Sequence, residues 1–171
     1  MKKTVLFCFI LAVFFIQNAG AQELGGLYTE KKAGFTMSMP KDWQIMDLNQ
    51  PFLMIIGPED SGVNPNIGFG REDYKGSISE YIDVLIKLLP AYMSNFSYIS
   101  RGSIKTTSKL DGEYFIFSCS EGELNIRMIM YVIQNKKKNA ILLVTCAMPL
   151  NGEEKYDALY DACVKTLKWT K

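Results

Sequence analysis

Histidine is absent from all 171 residues. That single absence excludes histidine-based triads, histidine general bases and histidine-ligated zinc, which removes much of the usual hydrolytic and metal repertoire. The G-x-x-x-x-G-K-[ST] phosphate loop and the G-x-S-x-G nucleophile elbow are missing too. Excess charge of one sign is lacking, with nineteen basic against eighteen acidic side chains. Cysteine is sparse, at four residues, so a disulfide framework of the kind that staples small secreted domains is not expected. What is present is ordinary: 48% hydrophobic and 22% charged residues, enough apolar material for one self-sufficient core without a metal or cofactor. No catalytic, cofactor-binding or metal-binding residue stands out.

The chain opens with Lys2 and Lys3, an apolar block from Thr4 to Ile16, and then Ala19-Gly20-Ala21. This order reads as a secretory signal peptide over residues 1–21, with Ala19 and Ala21 filling the small-residue pockets of signal peptidase. An uncleaved membrane anchor is the competing reading, but the block is short for a span. Cys8 lacks the small residues of a lipobox ahead of it, so no lipid anchor is expected. The expected product is periplasmic or extracellular, with no stable membrane span after processing. Losing Lys2 and Lys3 would leave seventeen basic against eighteen acidic side chains, a net charge of −1.

Lys136, Lys137 and Lys138 form the one basic run of the processed chain, and no aromatic residues alternate with them as a base-stacking platform requires. They read as a solvated hairpin tip, and no nucleic-acid partner is expected. Cys119, Cys146 and Cys163 read as buried free thiols. A reactive cysteine would need a depressed pKa, and Cys163 sits late in a helix, the wrong end for that.

Residues 22–33, with Gly25-Gly26 and no periodicity, read as a flexible lead-in, and residues 34–171 as a single domain. Phe35, Met37 and Met39 alternate with polar residues up to Pro40, which predicts a strand. Trp43 and Ile45, the run Phe52 to Ile56, and Asn66 to Arg71 read as further strands. Ser77-Ile78-Ser79-Glu80 is a capping box that predicts a helix with Ile78, Tyr81, Ile82, Leu85, Leu89 and Tyr92 on one face, ended or kinked by Pro90. Tyr98 to Thr107 and Glu113 to Ser120 read as strands with a turn at Asp111-Gly112.

The segment Glu113 to Pro149 carries the densest pattern. Leu124, Ile126, Met128, Met130 and Val132 share one side of a strand, and Arg127, Ile129, Tyr131 and Ile133 share the other. Both sides are largely apolar, and Ala140 to Met148 is apolar almost throughout. Each face of the sheet must therefore be covered, which places two helices on opposite sides. The last helix is expected over Glu153 to Trp169, with Asn151 as N-cap and Tyr156, Leu159, Tyr160, Cys163 and Leu167 buried. A turn at Glu121-Gly122 would set Cys119 opposite Leu124, and Cys146 would lie near Arg127. Those neighbours face opposite ways, so Cys119 and Cys146 should not bond to each other, while a link from Cys163 to either thiol stays open.

Other features are weak. Gly68-Phe69-Gly70 lacks the third glycine of a dinucleotide fingerprint, and Asp60, Asn64 and Asn66 lack calcium-loop spacing. Glu59-Asp60 and Glu72-Asp73 offer paired carboxylates, and Asn95-Phe96-Ser97 is a glycosylation sequon. Arg127, set among apolar residues, should pair with an acid or reach a sheet edge.

The strand and turn Phe35-Thr-Met-Ser-Met-Pro40-Lys-Asp-Trp43, together with the late strands and the closing segment Lys155 to Trp169, resemble the PsbP-like family across most of residues 34–169. The resemblance implies an α+β fold, an antiparallel sheet with helices on both faces as an α/β/α sandwich. It also implies an accessory or binding role, because that family includes an extrinsic photosynthetic subunit, a Ran-binding nuclear transport factor and bacterial envelope proteins. No functional residue carries over. The expected function is therefore an exported non-catalytic domain that binds an envelope or secreted protein. The alternatives are a carrier of a small apolar ligand held between sheet and helix, and a hydrolase using loop carboxylates or Cys163.

Overall fold

The computed structural model describes residues 23–47 and 53–170. The proposed signal peptide, with Cys8, Ala19 and Ala21, lies outside the described residues, as does Phe52. In chain order the elements are β1 (Leu24–Glu30), β2 (Phe35–Pro40), β3 (Gln44–Met46), β4 (Met54–Ile56), β5 (Asn66–Asp73), α1 (Ile78–Leu88), β6 (Ser94–Lys105), β7 (Asp111–Glu121), β8 (Leu124–Asn135), β9 (Ala140–Pro149), α2 (Glu153–Lys165) and β10 (Lys168–Trp169). An antiparallel seven-stranded sheet runs in the order β3-β4-β5-β9-β8-β7-β6, and a small antiparallel sheet in the order β1-β2-β10.

The architecture is mostly sheet, with helices packed on it, rather than a plain three-layer sandwich. Strand alternation sends Ile129, Tyr131 and Ile133 of β8 into a core with Tyr156, Tyr160 and Cys163 of α2. Phe35 and Met37 of the small sheet join that same core, so β1-β2-β10 shares the α2 side. The opposite side of β8 sends Met130 and Val132 toward Phe115, Phe117 and Ile141, where Ile78 and Ile82 of α1 close the layer. Each large side chain so buried contributes about 2 kcal/mol of favourable transfer free energy.

Several expectations need correction. Residues 24–30 are not a flexible lead-in: β1 pairs with β2, and its Tyr28 is buried, stacked 5.1 Å from Phe69. Asp111-Gly112 is not a turn but the start of β7. Gly112 is needed because the Ile133 side chain occupies the place of a Cβ, and the real turn covers residues 106–110. The N-cap of α2 is Gly152, with no side-chain cap, rather than Asn151.

Nor does α2 reach Trp169. Thr166 Oγ1 donates to the Cys163 carbonyl at 2.7 Å and accepts Ser38 N at 2.8 Å, and the chain then straightens so that Lys168 and Trp169 pair with Thr36 and Phe35. An open edge of β2 competes successfully with another helical turn. Tyr92 is also misplaced: a 3₁₀ turn over Leu89–Ala91, with Pro90 at its centre, breaks the helical phase and leaves Tyr92 83% exposed.

The two strand registers differ from expectation by two residues each. Cys119 pairs with Ile126 rather than Leu124, and Cys146 with Ile129 rather than Arg127. A shift of two preserves the face, so Cys119 lies in the α1-side core and Cys146 in the α2-side core. All three described cysteines are free.

Candidate functional site

The residues singled out for hydrolysis do not converge. Asp60, before β5, accepts from Lys155 Nζ at 2.6 Å and from the Tyr156 hydroxyl at 2.8 Å. Asp73 closes β5, and the eight residues of that strand separate its ends by about 23 Å. Cys163 is fully buried, and burial pushes its thiol up to about 12, the reverse of an activated nucleophile. Cys146 is likewise raised by burial. Arg127 finds an acid partner in Asp157 at 2.8 Å. Gly68 and Gly70 lie within β5, opposite Thr145 and Leu143, as an ordinary strand. Among the described residues, no group of histidine, cysteine and acidic side chains could hold a metal ion.

A carrier cavity between sheet and helix is not what the described clefts provide. They sit at strand ends, at loops and at the start of α1, while Tyr28, Phe35, Tyr131, Tyr156 and Tyr160 fill the α2-side core.

A different surface is built with more care. Ser77 caps α1 reciprocally, its Oγ accepting Glu80 N while its own N donates to Glu80 Oε2. Ile78 and Ile82 anchor the inner face of the helix. Its outer face should be polar, yet Val84 and Leu88, one helical step of four apart, are 52% and 51% exposed, and Tyr92, just past the 3₁₀ turn, is 83% exposed. Beside this stripe lies β6, a twelve-residue strand at the end of the sheet order, with Tyr98 and Ile99 also exposed.

Arg101 fastens the two parts together. Its Nη1 donates to Asp83 on α1 at 2.9 Å, and its Nη2 donates to Ser79 on α1 and to Glu113 on β7, both at 2.7 Å. The hydrogen bond to Glu113 is the main cause that raises the guanidinium above its ordinary pKa. Helix and strand edge are thereby held as one preorganised surface.

An edge strand usually carries protection against further pairing, such as bulges or charges. On β6 the register shifts fall between Ser94 and Ser97 and between Tyr98 and Ser100, so the run from Ser100 to Lys105 keeps a regular ladder toward β7. Its other side faces no strand among the described residues. Sequence reasoning missed this surface because it placed Tyr92 in the core and could not tell which strand ends the sheet. The available signal was the apolar character of α1 at Val84 and Leu88, outside its buried face.

No family model matches this sequence, and no curated protein matches it either. Solved structures do. LpqN of Mycobacterium tuberculosis, described as involved in cell envelope biogenesis, superposes with a TM-score of 0.63 at 10% identity, covering 85% of this chain and 90% of that one. Cyanobacterial PsbP (CyanoP) from Synechocystis sp. PCC 6803 gives 0.62 at 11% identity, covering 88% and 95%. The Saccharomyces cerevisiae Ran-binding protein Mog1p gives 0.59 at 10% identity, covering 87% and 97%. This chain has the fold these proteins share, the PsbP/Mog1 fold, as the Pro40 to Trp43 turn and closing segment implied. Among the described residues no helix is long and apolar enough to cross a membrane.

Proposed function

We propose that this chain is an exported, non-catalytic accessory domain that binds an envelope or secreted protein, and that it does so along β6. The observation that carries the reading is the coincidence of the β6 edge, regular from Ser100 to Lys105 and facing no strand among the described residues, with the exposed side chains of Val84, Leu88 and Tyr92. The occupant is an extended segment of the partner. Its backbone continues the sheet beyond β6, and apolar side chains on one of its faces reach the α1 stripe. Main-chain hydrogen bonds supply affinity on such an edge, and the stripe supplies selection among sequences. The LpqN description, cell envelope biogenesis, supports the compartment, and the Ran-binding description of Mog1p supports protein binding as a use of this fold.

The test is site-specific photocrosslinking in the native envelope, with the photoreactive residue at position 92 or 98 and at position 59 as a control. The expected result is one discrete adduct from 92 and 98 that is absent from 59 and is lost in the Leu88→Glu variant. Equal labelling from all three positions, or an adduct indifferent to Leu88→Glu, would overturn the proposal.

A further inference from the structure

At the other end of the strands, the fold gathers lysines that are scattered in sequence. Lys109 comes from the β6–β7 turn, Lys136 and Lys137 from the β8–β9 tip, and Lys168 from β10, and all four line one cleft of about 560 Å³. That volume lies within the range of small-molecule sites. Among the described residues, none of these four ammonium groups has an ion-pair partner. Asp111, the acid in the lining, is already paired with Lys105 at 3.4 Å.

The cleft also has an aromatic wall. Trp169 lines it, and its indole Nε1 is a buried donor with no acceptor among the described residues. The indole is held by two cations, with Lys138 Nζ 5.8 Å and Arg71 5.9 Å from its ring centroid. The lysine run lacked an interleaved aromatic in sequence, yet folding supplies one from more than thirty positions away.

A neighbouring cleft shares Gln134, Lys136 and Asp111 and adds Lys75, but Glu113 lines it as well, so the positive wall belongs to the first cleft. A cleft walled by like charges focuses an attractive potential on anions. The four lining cations are lysines, without the planar fork that pairs a carboxylate side by side. Lysine acts as a point charge, so the amount of charge a ligand concentrates in the cleft, rather than planar geometry, governs the fit.

We infer that this lysine-walled cleft beside Trp169 is a binding site for a compact molecule carrying at least two phosphate groups. Both phosphates sit among Lys109, Lys136, Lys137 and Lys168. A free bisphosphate and a diphosphate lipid headgroup share that chemistry. The site is independent of the partner surface on β6, so either reading can fail alone.

The test uses inorganic pyrophosphate as probe, followed by backbone amide shifts and isothermal titration at low ionic strength. Saturable shifts should cluster at residues 108–111, 134–137 and 168–169. The Lys136→Gln/Lys168→Gln variant should weaken binding about tenfold, and Lys31→Gln/Lys32→Gln, outside the lining, should leave it unchanged. Co-sedimentation with phosphatidylcholine vesicles doped with a polyprenyl diphosphate separates the sources. Wild-type co-sedimentation lost in the double variant supports the headgroup form, and pyrophosphate binding without it supports the free form. Shifts spread over the surface, citrate binding as tightly as pyrophosphate, or affinity indifferent to Lys136→Gln/Lys168→Gln would overturn the inference. An oligonucleotide that binds where pyrophosphate does not would overturn it too.

Discussion

Arg127 on β8 donates to Asp157 on α2 across 2.8 Å, with only 12% of the arginine side chain exposed. Four residues further along each element, the Tyr131 hydroxyl donates to Asp161 at 2.8 Å. Helix and strand are thus tied at two matched steps, and both ties are polar contacts at the margin of an otherwise apolar layer. Arg127→Ala should lower stability by about 2 kcal/mol, because it strands Asp157 against a desolvated surface. Arg127→Met combined with Asp157→Leu should cost less than the two single changes added together. Urea denaturation of the three variants checks both statements through their midpoints.

Asp60 provides the acid sensitivity. The Lys155 hydrogen bond, followed by that of Tyr156, pulls its carboxyl from the ordinary 3.8 to about 2. A carboxyl with a lowered folded-state pKa adds stability that is complete above the unfolded value and lost as pH falls through the folded one. The contribution is on the order of 1 kcal/mol once solvent screening is allowed for. Asp60→Asn should therefore flatten the dependence of stability on pH between about 4 and about 2. Thermal melting across that interval measures it, and a wild-type slope retained in the variant would refute the assignment.

Gly57 is a packing requirement. A Cβ placed there would lie 2.6 Å from the Trp43 ring, while Gly57 N donates to the Pro65 carbonyl at 2.8 Å and fixes the backbone. Trp43 cannot retreat freely, since Tyr156 and Tyr160 pack edge-on against it. Gly57→Ala should cost about 2 kcal/mol by overpacking and should shift the tryptophan emission to the red. An alanine variant of wild-type stability would contradict this reading.

The three described thiols should be silent in the native protein. Burial raises all three above their ordinary values, and Cys146 and Cys163 have no exposed surface. A thiol reagent at mildly alkaline pH should label none of the three within the time in which unfolded chain labels fully. Fast native labelling at Cys163 would restore it as a reactive group.

Periodicity made the sheet legible because a two-residue repeat survives errors in turn placement. The registers of Cys119 and Cys146 differ from expectation by two positions each, and both side chains still occupy the expected faces. The same repeat gave β8 two apolar sides and so required a cover on each. Tertiary competition was not legible. Whether residues 24–30 and 168–169 became strands depended on β2 having two free edges, which no local pattern reports. Asp111-Gly112 has the composition of a turn, and its glycine answers instead to the Ile133 side chain across the ladder. Candidate sites were least legible of all. The β6 edge is defined by what does not lie beside it among the described residues, and the lysine cleft by the meeting of three distant segments.

The small sheet has a temporal consequence. Ser38 is bonded to Thr166 across 128 positions, and β2 takes β10 as its second neighbour. While the chain is still being made, β2 must wait with one flank bare until nearly every other element has left the ribosome. Completion of this half is thereby deferred to the last stage of synthesis.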